Sequence, residues 1–593
     1  MTCLTGSFAG EVATLSFSPG DEDATEVVRE ALEAVEASHV VLIFEPGRYE
    51  FGRDKASEQY LAITNHDNGL KRVIFPMDRF ESVKIEGNGA EFIFQGRVLP
   101  FLFKGCKRVE VSGLTIDWDV PLYFQATVKQ VNSDAGWIDV EPFKEGFSWS
   151  VRRERLLFPD IEGFSYSHMG ETLAFDPAHR RVAHGAWDMH LDSPRVEQHP
   201  DGQLRIHARS RHYPDEGNVI VSKGKMGENR YAPAIYGVRS SNILIKDVTL
   251  HHAPGMGFLF ERCDTVTLSD CGAFVRPDSN RMVSLLADAT HFCNCKGEVL
   301  IENSRFQHML DDGTNVHGAY VVVDEVLDDH SVRVKLMHFQ QAGFHFADPG
   351  DQVWLIHAPD PSRGQLKTVN RFRQLNETYS VITFEEPLGK SLKDGDLLEN
   401  KTWNPSFTMR GCTIKDHRAR SVVLKTPLPV LIEDNTFSSM MSTIFLRGES
   451  WFWFESGSVE DVLIQNNRFE YCAYSGMEHA VLRVTPRLGR QFDASSTYDR
   501  NIRFVGNQVH TFGNRIVWAE RVEGLEILQN TIMQTNEAPV LHPGSPMIEL
   551  TFCRNARIES NTYEGENTHT LSTDETSAAT LTLIDNDGFP QHP

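Results

Sequence analysis

Four residues recur along this chain in one order: a small or polar residue, any residue, usually a small or polar one, then an apolar one, each time after a short alternating apolar run. The pattern stands at Gly113-Leu-Thr-Ile116, Asp247-Val-Thr-Leu250, Asn303-Ser-Arg-Phe306, Gly411-Cys-Thr-Ile414, Asp434-Asn-Thr-Phe437, Asn466-Asn-Arg-Phe469, Gly506-Asn-Gln-Val509, Gln529-Asn-Thr-Ile532 and Ser560-Asn-Thr-Tyr563. Its shortest spacing is 23 residues, from 411 to 434 and from 506 to 529, and others are 31, 32 and 40, as if loops had been added to one unit. A period in the low twenties, with strands separated by Asn and Gly turns, predicts an all-β chain wound as a right-handed parallel β-helix, whose coils bury their inward side chains only by stacking on one another. A leucine-rich horseshoe would need a regular Leu framework, which is absent.

Two stretches break the period. Over 119–230 and 318–404 the tetrads vanish and period-2 runs such as FQATVKQV, GWIDVEPF, YVVVDEVL and SVRVKLMH take over, which predicts two small inserted β-domains. The chain then divides into a cap with the first coils (1–118), the first insert, central coils (231–317), the second insert, and C-terminal coils (405–593). From Ala24 to Ala37, apolar Val27, Val28, Ala31, Leu32 and Val35 oppose a charged face, predicting an amphipathic helix that covers the open end of the first coil.

Charge and cysteines narrow the partners. Lys plus Arg is 58 against 82 Asp plus Glu, a net charge of −24 that would repel nucleic acid or an anionic membrane surface. No run of about 18 apolar residues could span a bilayer. The N-terminal residues contain no basic-then-apolar export signal. The nine cysteines are odd in number and sit in apolar strand-like runs, which is the placement of buried thiols. Cys293-Asn-Cys295 would put two thiols on one strand face, but with no second Cys or His pair the expectation is packing and no metal or other cofactor.

The segment from Val283 to Gly318 carries the candidate chemistry. Asp288 and Asp311 are 23 residues apart, the shortest repeat spacing, so they should face each other on adjacent coils about 4.8 Å apart. Asp312 follows, and Gly313 suggests a bend at which both acids reach one cleft. Three carboxylates in one patch cannot all ionise at their solution values, so one should hold a proton near neutral pH, and a proton donor beside an ionised base is what glycoside hydrolysis uses. His291, Asn315 and His317 nearby are candidates to bond sugar hydroxyls. The densest aromatic cluster, Gly448 to Gly457, offers Trp453 as a stacking face and Glu455 as a hydroxyl acceptor; read as a strand, it would put Trp451 and Trp453 on one face.

The run GLTIDWD at 113–119, LLADATHF around Asp288, MLDDGTNVHG around Asp311 and Asp312, and WFESG at 453–457 together resemble glycoside hydrolase family 110 over nearly the whole chain. The resemblance implies a pectin-lyase-like solenoid carrying two β-barrel inserts. It also implies exo-acting, inverting, metal-independent cleavage of terminal α-1,3-linked galactose from blood group B-type or linear glycans. In that reading Asp311 is the general acid, Asp288 and Asp312 position and deprotonate water, and the protein acts in the periplasm or outside the cell. Alternatives on the same scaffold are a polygalacturonase, which needs a basic site that no Arg-x-Lys or Gly-His-Gly pattern supplies here, a polysaccharide lyase, and a passive glycan-binding rod of the tailspike kind.

Overall fold

The computed structural model describes residues 2–9, 12–20, 22–144, 146–159, 165–224, 230–389 and 392–588, and the side chains of 2–11, 159, 165 and 166 lie outside that description. Its scaffold is a parallel β-helix. One sheet column runs through Phe258, Thr290, Thr314, Val422, Ile444, Leu482, Val517, Ile548 and Leu571, every neighbouring pair parallel and in register.

The tetrads are the corners of the coils. Their first residues, Gly113, Asp247, Asn303, Gly411, Asp434, Asn466, Gly506, Gln529 and Ser560, all have φ between 50° and 68°, the left-handed bend that Gly, Asn and Asp adopt most readily. The second residue turns inward. Asn435, Asn467, Asn507, Asn530 and Asn561 each offer a buried amide to the next coil, with Asn467 Oδ1 accepting the Asn435 N–H at 3.0 Å and Asn507 Oδ1 accepting that of Asn467 at 2.9 Å. The fourth residue fills the core, as in the stacked rings of Phe437 and Phe469, 5.3 Å apart. Replacing Asn467 by Ala would leave the buried Asn435 N–H and the Ile432 carbonyl unpaired. At ~1–3 kcal/mol for each of the two orphaned groups, the expected loss is about 2–6 kcal/mol by denaturant unfolding.

At the N-terminus the helix spans Thr25–Glu33, shorter than the 24–37 expected, and buries Val28 and Leu32 on the first coil. Ala34 ends it, so Val35 enters the core from beyond the helix. A strand that sequence periodicity did not reveal, Thr2–Ala9, pairs antiparallel with Val12–Ser18 at this end. Among the described residues no helix is long and apolar enough to cross a membrane.

Both inserts are antiparallel. The first lays strands Phe124–Asn132, Trp137–Pro142, Gly170–Asp176 and Val219–Ser222 into one curled sheet and packs Leu173, Phe175 and Val221 on the solenoid flank, against Met282, Met440 and Tyr474. The second closes into a six-stranded barrel. Its first strand, Thr314–Val326, begins inside the solenoid, where Thr314 pairs with Val422, and ends in the barrel, where Tyr320 pairs with Glu399. The barrel is therefore joined to the coil by a strand and not by a linker, which fixes its position over the central coils. The eight described cysteines are buried and free, and Cys3 lies outside the described side chains. Cys293 and Cys295 do not share a face. Asn294 sits at φ 46°, and the bend sends Cys293 into the barrel core and Cys295 into the solenoid core.

Candidate active site

Asp288 and the pair Asp311-Asp312 each lie in a bend just before a strand, Thr290–Cys293 and Thr314–Val326. The register differs by one residue from the 23-residue expectation. The Ala289 N–H donates to the Asp312 carbonyl at 2.9 Å, so Asp312, not Asp311, stacks on Asp288, and the Gly313 N–H donating to the Arg420 carbonyl at 2.8 Å puts Arg420 next in that column. Gly313 is required there because a Cβ would come within 2.5 Å of the Ser421 carbonyl oxygen. Asp311, one residue earlier in the bend, still reaches the others: oxygens of all three carboxylates lie within 4.8 Å of one another. They form one wall of a cavity of about 400 Å³ that also meets His291, Asn315, Trp453 and Glu455.

Each carboxylate has a different environment. Asp311 sits between Arg230 (2.5 Å) and Arg418 (3.5 Å), and Arg418 is shared with Asp188 of the first insert. Burial would raise its pKa, but the charges of Arg230, Arg418 and Lys223 prevail and hold it well below the usual carboxylate range. Burial raises Asp288 to about 7, reinforced by the charge of Asp311. It also raises Asp312 to about 7, against Arg420, whose backbone N–H (3.0 Å) and guanidinium (2.6 Å) both donate to it. The three arginines supply, each in direct contact, the positive charge that three crowded carboxylates need.

With both histidines neutral, hydrogen-bond logic also places a proton on Asp288. His317 Nδ1 lies 2.7 Å from the Gly318 carbonyl, which only accepts, so its Nε2 is bare when the ring is neutral. That Nε2 is 2.9 Å from His291 Nε2, which must then carry the hydrogen, leaving His291 Nδ1 bare at 2.7 Å from Asp288 Oδ2. The donor across that last contact is the Asp288 carboxyl. Both rings are neutral because burial lowers His291 to about 4 and His317 to about 3. The Asn65 amide, 3.1 Å from His291 Nε2, has to turn its oxygen toward that N–H.

An Asp288→Asn variant preserves this donor and removes the ionisation. Because the carboxyl's folded pKa is raised, its stabilising state is complete below about pH 4 and is lost as pH rises through about 7. The variant is therefore expected to match the parent at about pH 4 and to be more stable at pH 8.5, by on the order of 1–3 kcal/mol, read as a difference in Tm between the two pH values. Equal melting at both would place the charge on Asp288 at no cost.

Other expected residues are sorted by the fold. Glu455 is buried at the cavity wall, ion-paired with Lys425, which also donates to Asn315 at 3.1 Å, and against burial the Lys425 charge helps hold its carboxyl well below the ordinary range. His317 does not face the cavity; it stands behind the wall, 1% exposed, 3.7 Å from Glu455. Residues 450–454 form a loop and not a strand, because the Glu449 carboxylate accepts the backbone N–H groups of Trp451, Phe452 and Trp453 and folds the chain around itself. The second insert clamps that loop: Gln341 donates to the Trp453 carbonyl at 2.9 Å, and the His338 ring packs on Trp453 at 4.3 Å. The first insert brings Glu171 and Lys223 to the opposite side.

The basic side of the cavity was not anticipated. Besides Arg230, Arg418 and Arg420, it includes Arg447, Arg483 and Arg487, drawn from separate coils, so no contiguous motif announces them. Their signal was the register: with the second insert taken out, Arg420 falls one coil beyond Asp312, and Asn315, Val423, Phe445 and Arg483 occupy one column.

Residues 124–220 match the family model described as GLAA-B beta-barrel domain I, and residues 331–398 that of GLAA-B beta-barrel domain II. The chain is 30% identical to Alpha-1,3-galactosidase A of Shewanella woodyi over 575 residues, covering 95% of this chain and 93% of that protein. It is 28% identical to Alpha-1,3-galactosidase B of Phocaeicola vulgatus, over 95% of this chain and 96% of that one. Of solved structures, a polygalacturonase from Erwinia carotovora ssp. carotovora is similar at 8% identity and a TM-score of 0.31, over 97% of this chain and 99% of that one.

Proposed function

The chain belongs to the alpha-1,3-galactosidase A/B family, and from that premise we propose that it is an exo-acting α-1,3-galactosidase that removes terminal galactose from blood group B-type or linear α-1,3-galactosyl glycans with inversion. The observation that carries the reading is the meeting of Asp288, Asp311 and Asp312 within 4.8 Å at one cavity wall, with a proton retained among them. Glycoside hydrolysis needs a carboxyl to protonate the departing oxygen and a carboxylate to take a proton from water. The three titrate as one unit, so acid and base functions belong to the cluster before they belong to single residues. In the free protein the proton rests on Asp288 and Asp311 is ionised. For Asp311 to be the donor, the substrate has to loosen its contact with Arg230 or Arg418 so that the proton crosses to it.

Inversion is supported by the way each acid is already engaged: none stands free as an unencumbered nucleophile, while Asp288 and Asp312, stacked and raised together, suit a pair that holds a water. The close spacing favours one competing reading. Inverting acids usually stand about 6.5–9.5 Å apart and retaining ones about 5–5.5 Å, so retention through a galactosyl intermediate is the second reading. Proton NMR of the first-formed sugar from α-1,3-galactobiose decides: β-galactose means inversion, early α-galactose means retention, and release from polygalacturonate but not from the disaccharide would remove the galactosidase reading altogether.

A further inference from the structure

The acids occupy only one end of the cavity. Its other end is positive in a protein whose net charge is −24. Arg447 follows strand Ile444–Leu446, two coils beyond that of Asp312, and Arg483 lies on Leu482–Val484, three coils beyond, so they stand about 10 and 14 Å along the axis at ~4.8 Å per coil. A glycan extending along the axis from a galactose held at the acids would reach them.

These arginines are unlike the ones beside the acids. Arg230, Arg418, Arg420 and Lys425 are each ion-paired, whereas among the described residues neither Arg447, Arg483 nor Arg487 has a carboxylate within salt-bridge distance. Arg483 is held in place without being neutralised: its Nε donates to Thr485 at 3.0 Å and its guanidinium lies 4.0 Å over the Trp518 ring. Arg447 and Arg483 flank the same Phe445 ring, at 5.2 and 5.5 Å. The acid beside them, Glu449, has both oxygens turned to backbone N–H groups. Burial above all brings Arg447 and Arg483 down to about 10, with Arg483 repelling Arg447 and Arg515 repelling Arg483, and the more distant charges of Glu449, Glu520 and Glu478 offset this only in part. Gathering three guanidinium groups at a cavity wall with no carboxylate in contact is unfavourable until an anion enters, and planar donors of this kind bind sulfate or carboxylate oxygens in pairs.

We propose that the preferred substrate carries an oxyanion, a sulfate ester or a carboxylate, on the sugar next to the terminal galactose, and that Arg447, Arg483 and Arg487 bind it. This rests on the galactosidase reading above and adds to it the charge of the leaving sugar.

The test compares kcat/KM on three α-1,3-galactosyl disaccharides whose reducing sugar is neutral, sulfated or a uronic acid. At low ionic strength at least a tenfold preference for one of the two acidic substrates is expected, and which one identifies the source of the oxyanion. In Arg447→Met the ratio of acidic to neutral kcat/KM should fall toward unity, and added salt should reduce the parent's ratio in the same direction. Equal kcat/KM on all three with the parent overturns the inference and leaves the galactosidase reading standing. If none is hydrolysed, the galactosidase reading fails, and calorimetry then judges the inference alone: tighter binding of the sulfated or uronic disaccharide than of the neutral one, weakened in Arg447→Met, sustains it, and equal binding ends it.

Discussion

Asp311→Asn is expected to lower kcat on a terminal α-1,3-galactosyl disaccharide by at least ~10³-fold, within the range that positioned acid–base groups contribute, while galactose binding and the melting transition stay close to the parent's. The amide has the shape of the carboxyl but neither its charge nor its proton. The coil does not depend on the side chain, since the Asp311 carbonyl accepts the Ala419 N–H at 3.0 Å and Arg418 keeps its pair with Asp188. Arg230 alone loses its carboxylate partner. A nitrophenyl α-galactoside separates the two roles open to Asp311. Its leaving group needs little protonation, so a variant lacking the acid regains most of its rate on this substrate, and a variant lacking the base does not. Full activity on the disaccharide would take Asp311 out of the mechanism, and loss of galactose binding would make it a structural residue.

The solenoid was legible because its physical requirement is repeated. Every tetrad turns a corner in the left-handed region, and the last five also stack a buried amide on the next coil, so Asn466 and Asn467, or Gln529 and Asn530, recur at readable intervals. The acids were legible for the same reason: they occupy equivalent bends of two coils. The one-residue error in their pairing arose because a spacing measured between corners at 411 and 434 need not hold on another side of the coil, where Thr290 pairs with Thr314. Features that appear once were less readable. The loop at 450–454 depends on a single carboxylate turned toward its own backbone, and the parting of Cys293 from Cys295 depends on one left-handed residue between them. The arginines were hardest to see because their neighbours in space are separated in sequence by the second insert or by whole coils. Lys425 meets Glu455 only because the barrel pins Trp453 and Phe454 over the coil beneath.

The pH dependence of kcat/KM should be one-sided, and its direction follows from the sign of the shifts. Asp288 and Asp312 are both raised to about 7, and Asp311 is ionised throughout the working range. The cluster therefore keeps a proton available below about pH 7 and loses it above, whichever carboxyl finally delivers it. kcat/KM, which reports the free enzyme, is expected to be level from mildly acidic to neutral pH and then to fall about tenfold per pH unit. Added salt should leave the midpoint nearly unchanged, because Asp288 and Asp312 are buried and the arginines of Asp311 and Asp312 are in contact with them. Arg420 gives the prediction a second handle. It lowers Asp312 by charge and by a 2.6 Å hydrogen bond, so Arg420→Met should move the alkaline limb upward. Its charge also lowers Asp288, so a limb that stays in place would mean that neither of the two raised carboxyls sets it. A profile level beyond pH 9 would mean that the proton lost to the glycosidic oxygen never belonged to these carboxyls.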